Sequence, residues 1–175
     1  SSSKQTKFNT YTYKDLEELK KLNIIFDIAI DFSSDVSVEN FFKDPAKAFL
    51  KNIEIPINNM KFLNELGFKG RLLYISTDRA FLDIKDHKDI SELVIKNDPY
   101  GASKLVGEII LKYAVRLNAA SATILRFPNI YGPGQTSKQL IPSIINQIKS
   151  NSQNIKVGSF KGSRNYLFID DAVSA

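Results

Sequence analysis

Three short apolar runs constrain this chain more than any other feature: residues 24–32 (IIFDIAIDF), 71–77 (RLLYIST) and 121–127 (SATILRF). Each is short and apolar, and the first is also β-branched, which suits buried strands. Between them lie helix-length segments. Asp44-Pro45 opens a helical pattern that runs through Leu66 and stops at Gly67, with Pro56 inside it expected to kink or break the helix. Asp98-Pro99 precedes a second pattern, from about Tyr100 to Leu117. Ahead of the first run, Leu16, Leu19 and Leu22 recur three apart in an amphipathic helix over residues 14–22. After the third, NIYGPGQ is a Gly/Pro turn, residues 138–150 read as a helix and NIKVGSF as a late short strand. Residues 78–97 read as a loop.

Strand alternating with helix predicts an α/β fold, a doubly wound parallel sheet. Ligands of such sheets sit beyond the carboxyl ends of the strands. That directs attention to DFSS after the first run, STD after the second and FPNIYG after the third.

Composition removes several kinds of chemistry. The chain has no cysteine, which excludes disulfides and thiolate nucleophiles. Its one histidine, His87, lies in a charged run and reads as a surface residue, so no histidine-based metal centre or serine–histidine triad is expected. The formal net charge of +5 could serve an anionic partner. The lysines are interleaved with acids, as in KDLEELKK, and no recognition motif accompanies them, so no nucleic-acid partner is expected. No apolar run approaches the ~20 residues of a membrane span. The opening SSSKQTKF lacks the apolar centre of a secretory signal, and the expected setting is cytoplasmic.

Tyr100 and Lys104 stand four apart on the second helical pattern and share a face. A phenol near its free pKa of ~10 is a poor base at neutral pH, and an adjacent ammonium would lower that pKa. A phenol so tuned can take a proton from a sugar hydroxyl while hydride leaves the same carbon. No side chain accepts hydride, so a nicotinamide would have to. Thr77, at the end of the second run, could place its hydroxyl beside the phenol and the reacting oxygen, or could bond local backbone instead.

YISTDRAF, DPYGASKLVGE, LRFPNIYGPGQ and RNYLFIDDA occur in the order seen in extended short-chain dehydrogenases/reductases, and the chain resembles their nucleotide-sugar epimerase/dehydratase branch over about residues 24–175. The resemblance implies a Rossmann-like fold, with residues 1–135 a partial NAD(P)-binding domain and 136–175 the start of the substrate-binding part. It implies NAD as cofactor, or NADP, and a nucleotide-diphosphate sugar as substrate. Tyr100 would be the catalytic acid/base, Lys104 would bond the nicotinamide ribose, and Thr77 and Asp78 would meet the sugar. Ser33, Ser34, Asn52, Phe127 and Pro128 would line the cofactor. Asn129 and Arg164 would hold the diphosphate, Arg164 having a surface ion pair with Asp170 or Asp171 as its alternative. Asp31, Phe32, Ser33 and Ser34 stand where the family usually has His-Leu-Ala-Ala. Relatives often pair through the helices around 46–65 and 100–117, which implies a homodimer.

The resemblance also implies a Gly-x-x-Gly-x-x-Gly turn after a first strand, and these 175 residues contain none. Only about two dozen residues precede Ile24, fewer than the ~30 of a βαβ unit. The expectation is a piece of a longer enzyme, inactive alone; a shortened non-catalytic binding module is the alternative. The branches differ after Thr77. Dehydratases of the 4,6 type have aspartate then glutamate, whereas Asp78 is followed by Arg79, a poor general base. STDRAF also resembles the deoxysugar reductases. The order of expectation is epimerase, then dehydratase, then reductase.

Overall fold

The computed structural model describes residues 13–35, 38–80, 98–117, 121–136, 139–158 and 163–175. Its centre is a three-stranded parallel sheet in the order β1-β2-β3, formed by β1 (Ile28–Asp31), β2 (Arg71–Thr77) and β3 (Ser121–Phe127). Ile28 pairs with Arg71, and β2 pairs with β3 from Arg71–Ser121 to Thr77–Phe127. The parallel pairing and the crossing helices are those expected from the alternation.

Two long helices cover one face of this sheet. Helix α3 (Pro45–Glu65) begins on Asp44, whose carboxylate accepts the Lys47 backbone N–H at 3.0 Å, with Pro at the first helical position. Gly67, at φ 70°, ends it: its N–H bonds the Asn64 carbonyl, and the Phe68 N–H reaches back to Leu63. The break expected at Pro56 does not occur. The helix runs 21 residues through it, and Pro56 is buried against helix α4 (Pro99–Leu117) beside Gly107. Packing there outweighs the one backbone bond a proline removes.

The core forms where these helices meet the sheet. Met60 of α3, Leu111 and Val115 of α4, Leu72 and Tyr74 of β2, and Phe68 make one buried cluster. Burying side chains of this size stabilises by about 1.5–3 kcal/mol each. Alternation along the strands sends Leu72, Tyr74 and Ser76 to this face.

The first apolar run differs from expectation. Only Ile28–Asp31 form a strand, and it lies at the sheet edge. Its alternation points Asp31 toward the helices, while Ile28, Ile30 and Phe32 are exposed on the opposite face, as are Ile24, Ile25 and Phe26 before it. The predicted buried strand over 24–32 is therefore shorter and more exposed than its composition suggests.

Smaller elements complete the fold. Helix α1 (Leu16–Lys21) follows a 3₁₀ turn at Tyr13–Asp15 and buries Leu19. Helix α2 (Val38–Lys43), unmarked in the sequence reading, precedes α3. The NIYGPGQ turn contributes β4 (Asn129–Tyr131), which pairs in parallel with β5 (Tyr166–Phe168) as a second, two-stranded sheet. Tyr131 packs against both Tyr166 and Phe168. Helix α5 (Leu140–Lys149) lies between its two strands in sequence, and helix α6 (Ile169–Ser174) follows β5. The strand expected at NIKVGSF is absent over 154–158; Gln147 of α5 takes both the N–H and the carbonyl of Lys156, which ties that segment to a helix rather than a ladder. Within the expected loop over 78–97, Asp78–Ala80 form a 3₁₀ turn; His87 lies outside the described residues. Among the described residues, no helix is long and apolar enough to cross a membrane.

Candidate active site at the strand ends

The carboxyl ends of β1, β2 and β3 lie side by side, and the first turn of α4 comes down beside them. Thr77 and Phe127 are direct register partners, so the residues that follow, Asp78 and Pro128, leave the sheet at one edge. Two contacts fix Tyr100 at this edge. The Ser34 side chain faces the phenol and favours its ionised form, and Phe41 of α2 meets the ring edge-on at 5.9 Å between centroids.

The backbone of Tyr100 is held from below. Its carbonyl accepts the Ser103 hydroxyl at 2.7 Å, and Ser103 accepts the Asn52 amide at 3.1 Å. The other contacts of Asn52 go to Asp35: its amide oxygen accepts the Asp35 N–H and its amide nitrogen donates to the Asp35 carbonyl. Asn52 is 2% exposed. The structure thus gives Asn52, expected to line the cofactor, the immediate task of bracing the loop after β1 against α4.

Lys104 departs most from expectation. It is 2% exposed, and its ammonium lies 4.2 Å from the centre of the Tyr74 ring. Burial lowers its pKa to about 8, and the carboxylates of Asp31 and Glu108 oppose that shift. The ammonium faces the Tyr74 ring, and Asp31 and Glu108 favour its charged form. The expected lowering of the Tyr100 pKa by Lys104 is not found. The phenol is pushed up, first by burial, then by Asp98 and Asp78; Arg79 and Ser34 act in the lowering direction.

Sequence reasoning missed the buried charges beneath the site. Glu108, 1% exposed, accepts the Ser76 hydroxyl at 2.6 Å and takes a two-pronged ion pair from Arg126 at 2.9 and 2.6 Å. Asp31 accepts the Ser33 N–H at 2.8 Å, the Ser33 hydroxyl, and the Asn59 amide at 2.9 Å. The signal was present in α4: Ser103, Lys104, Gly107, Glu108, Leu111 and Val115 recur at helical spacing, and this stripe is the buried one. Gly107 belongs to it because a Cβ there would lie 2.4 Å from the Tyr74 hydroxyl.

The buried lysine has a measurable consequence. Between its folded pKa of about 8 and the unfolded value of 10.5, the unfolded chain holds the proton that folded Lys104 has lost. Stability therefore rises with pH across that window. Urea unfolding should show a gain of roughly 1.5 kcal/mol from pH 8 to 9.5, and Lys104→Met should remove the gain. Above pH 10 the elevated pKa of Tyr74, set first by burial, acts in the opposite direction.

The remaining expected site residues fall in two groups. Ser33, Ser34, Thr77, Asp78, Phe127 and Pro128 lie at the strand ends; Thr77 is buried, and its hydroxyl accepts the Arg79 N–H at 3.3 Å and donates to the Asp78 carboxylate at 3.3 Å. Asn129 begins β4, and Arg164 is exposed just before its partner β5; no ion pair joins Arg164 to Asp170 or Asp171. The pairing Asn129–Tyr166 brings these two segments together.

The model of the NAD dependent epimerase/dehydratase family matches residues 2–175. The chain belongs to that family. Among its relatives, dTDP-D-glucose 4,6-dehydratase of Dictyostelium discoideum is 30% identical over 161 residues, which is 85% of this chain and 37% of that protein. GDP-6-deoxy-D-mannose reductase of Pseudomonas aeruginosa is 29% identical over 158 residues, 85% of this chain and 52% of that protein. Among solved structures, RMD from Pseudomonas aeruginosa complexed with NADPH matches with a TM-score of 0.72 and 26% identity, covering 95% of this chain and 60% of that one. The chain thus spans between about a third and about a half of the length of these curated relatives. Members of the family include epimerases and dehydratases, and the relatives bind NAD or NADPH.

Proposed function

We propose that this chain carries the catalytic half of an enzyme that remodels the sugar of a nucleotide-diphosphate sugar by transient oxidation, as a 4-epimerase. The observation that carries this reading is Tyr100: a half-buried phenol facing Ser34, at the mouth formed by three parallel strand ends. Exposed Ser33, half-exposed Ser34 and the strand-end residues Phe127 and Pro128 suit the nicotinamide end of NAD, or of NADP. Lys104, one turn along α4 from Tyr100, would bond the nicotinamide ribose. When bound, the cofactor supplies the hydride acceptor.

The residues of the chain supply the proton chemistry. Tyr100 would take the proton from the sugar hydroxyl and return it when the keto group is reduced. Thr77 and Asp78 would meet the sugar, and Asn129 and Arg164 would hold the diphosphate, the latter through a planar guanidinium suited to phosphate oxygens. Elimination of water needs a further base beside Asp78, and Arg79 at that place is a cation; this favours epimerisation over dehydration. The exposed Leu50 on α3, and Ile109 and Tyr113 on α4, support the expected homodimer.

The test incubates the full-length protein with a panel of nucleotide sugars and NAD or NADPH and reads the products by NMR. The expected product is the 4-epimer of one substrate. A product short one water would replace this reading with the dehydratase. Tight binding without conversion of any sugar would replace it with the binding module.

A further inference from the structure

Ser34 stands between two residues that helix α3 holds in place. On one side, the Asp31 carboxylate accepts the Ser33 N–H at 2.8 Å and the Ser33 hydroxyl, and the Asn59 amide donates to Asp31 at 2.9 Å and to the Ser33 oxygen at 2.6 Å. On the other, the Asn52 amide accepts the Asp35 N–H at 2.6 Å and donates to the Asp35 carbonyl at 3.0 Å. Asn52 and Asn59 lie seven residues apart on α3, two turns along one face. The loop after β1 is thus pinned on both sides of a single residue. Asn52 also donates to Ser103, which bonds the Tyr100 carbonyl, so one brace sets residues 34 and 100 together. The phenol ring is flanked as well. The Arg79 guanidinium carbon lies 5.5 Å from its centre, and α4 is pressed onto the turn that carries Arg79: a Cβ on Gly101 would lie 2.4 Å from the Arg79 carbonyl oxygen.

We propose that Ser34 is a further positioning residue of this site, its hydroxyl donating to the Tyr100 phenolate from a loop clamped by Asp31, Asn59 and Asn52. The inference rests on the reading of Tyr100 as acid/base, and it leaves Lys104 its place on the nicotinamide ribose. Residues 31, 33 and 34 all depart from the His-Leu-Ala-Ala pattern, and the departures belong together. The Asp31 carboxylate takes up the Ser33 hydroxyl, while the Ser34 side chain faces the phenol. An alanine there would offer no donor. The other groups facing the phenol are Arg79 and Asp78 from the turn after β2 and Asp98 before α4, with uncharged Phe41 from α2. The two carboxylates oppose the phenolate; Arg79 favours it by charge, and Ser34 favours it by a directed hydrogen bond.

The test is a tyrosine titration by NMR on the full-length protein labelled at the tyrosine ζ carbon, with Tyr100→Phe assigning the resonance. Ser34→Ala should move the Tyr100 midpoint upward, and Ser34→Thr, which keeps the hydroxyl, should hold it near that of the native protein. The urea midpoint of Ser34→Ala should match the native one, which separates a lost donor from a loosened loop. A Tyr100 midpoint in Ser34→Ala equal to the native one overturns the proposal, as does a Ser34→Thr midpoint moved as far as that of Ser34→Ala. An upward move accompanied by a lowered urea midpoint assigns Ser34 to the packing of the loop and overturns it too. No sugar or cofactor is added, so this result stands apart from the outcome of the sugar panel.

Discussion

Tyr100→Phe should lower turnover of the full-length protein on its nucleotide sugar by about a hundredfold or more, with the fold intact. The substitution removes one oxygen and keeps the ring, so the edge-on contact with Phe41 at 5.9 Å survives. The neighbour that loses its partner is Ser34, a half-exposed residue that can turn to water. The brace through Ser103 and Asn52 grips the backbone carbonyl of residue 100 and is indifferent to its side chain. Steady-state kinetics with circular dichroism on the same samples separates the two effects. Unchanged turnover rejects the acid/base assignment, and a lost fold rejects the claim that the ring alone carries the packing.

Glu108→Ala should cost about 3 kcal/mol of stability, at the low end of what breaking a buried ion pair costs. The carboxylate is 1% exposed and serves Ser76, both prongs of Arg126 and, by charge, Lys104. Arg126 reaches solvent and can rehydrate, which limits the loss. Lys104 cannot, and would be left with Asp31 as its remaining anion. Urea unfolding measures the change. Adding Lys104→Met to Glu108→Ala should recover part of it, because the stranded ammonium goes with the anion. Additive losses in that double variant would show that the two charges do not share an energy.

Much of the fold was legible because its signals are local. The runs at 71–77 and 121–127 are short and apolar, a capped helix precedes each, and a parallel sheet follows from the order. The exceptions have physical causes. β4 and β5 are three residues each, too short for periodicity to show, and depend on pairing across 37 positions of chain. NIKVGSF has strand composition, but a glutamine side chain claims its backbone first. Pro56 reads as a breaker because sequence shows the missing N–H and not the Gly107 surface that the ring packs on.

The site divides in the same way. That Tyr100 and Thr77 lie at strand ends follows from the order of elements. The direction of a long side chain does not: the spacing of Tyr100 and Lys104 puts both on one side of α4, but the anions that capture the ammonium come from β1 and from one turn further along the helix. Asp31, noted only as a departure from the family pattern, is one of them. Arg79 read as a missing base, and its closeness to the phenol needed Gly101 against the turn to become visible.

The bonds from Asp35 through Asn52 and Ser103 to the Tyr100 carbonyl tie a loop to a helix that begins some sixty positions later. The loop after β1 and the first turn of α4 therefore share one hydrogen-bonded brace, and the backbone of residue 100 keeps its place only while that loop keeps its own.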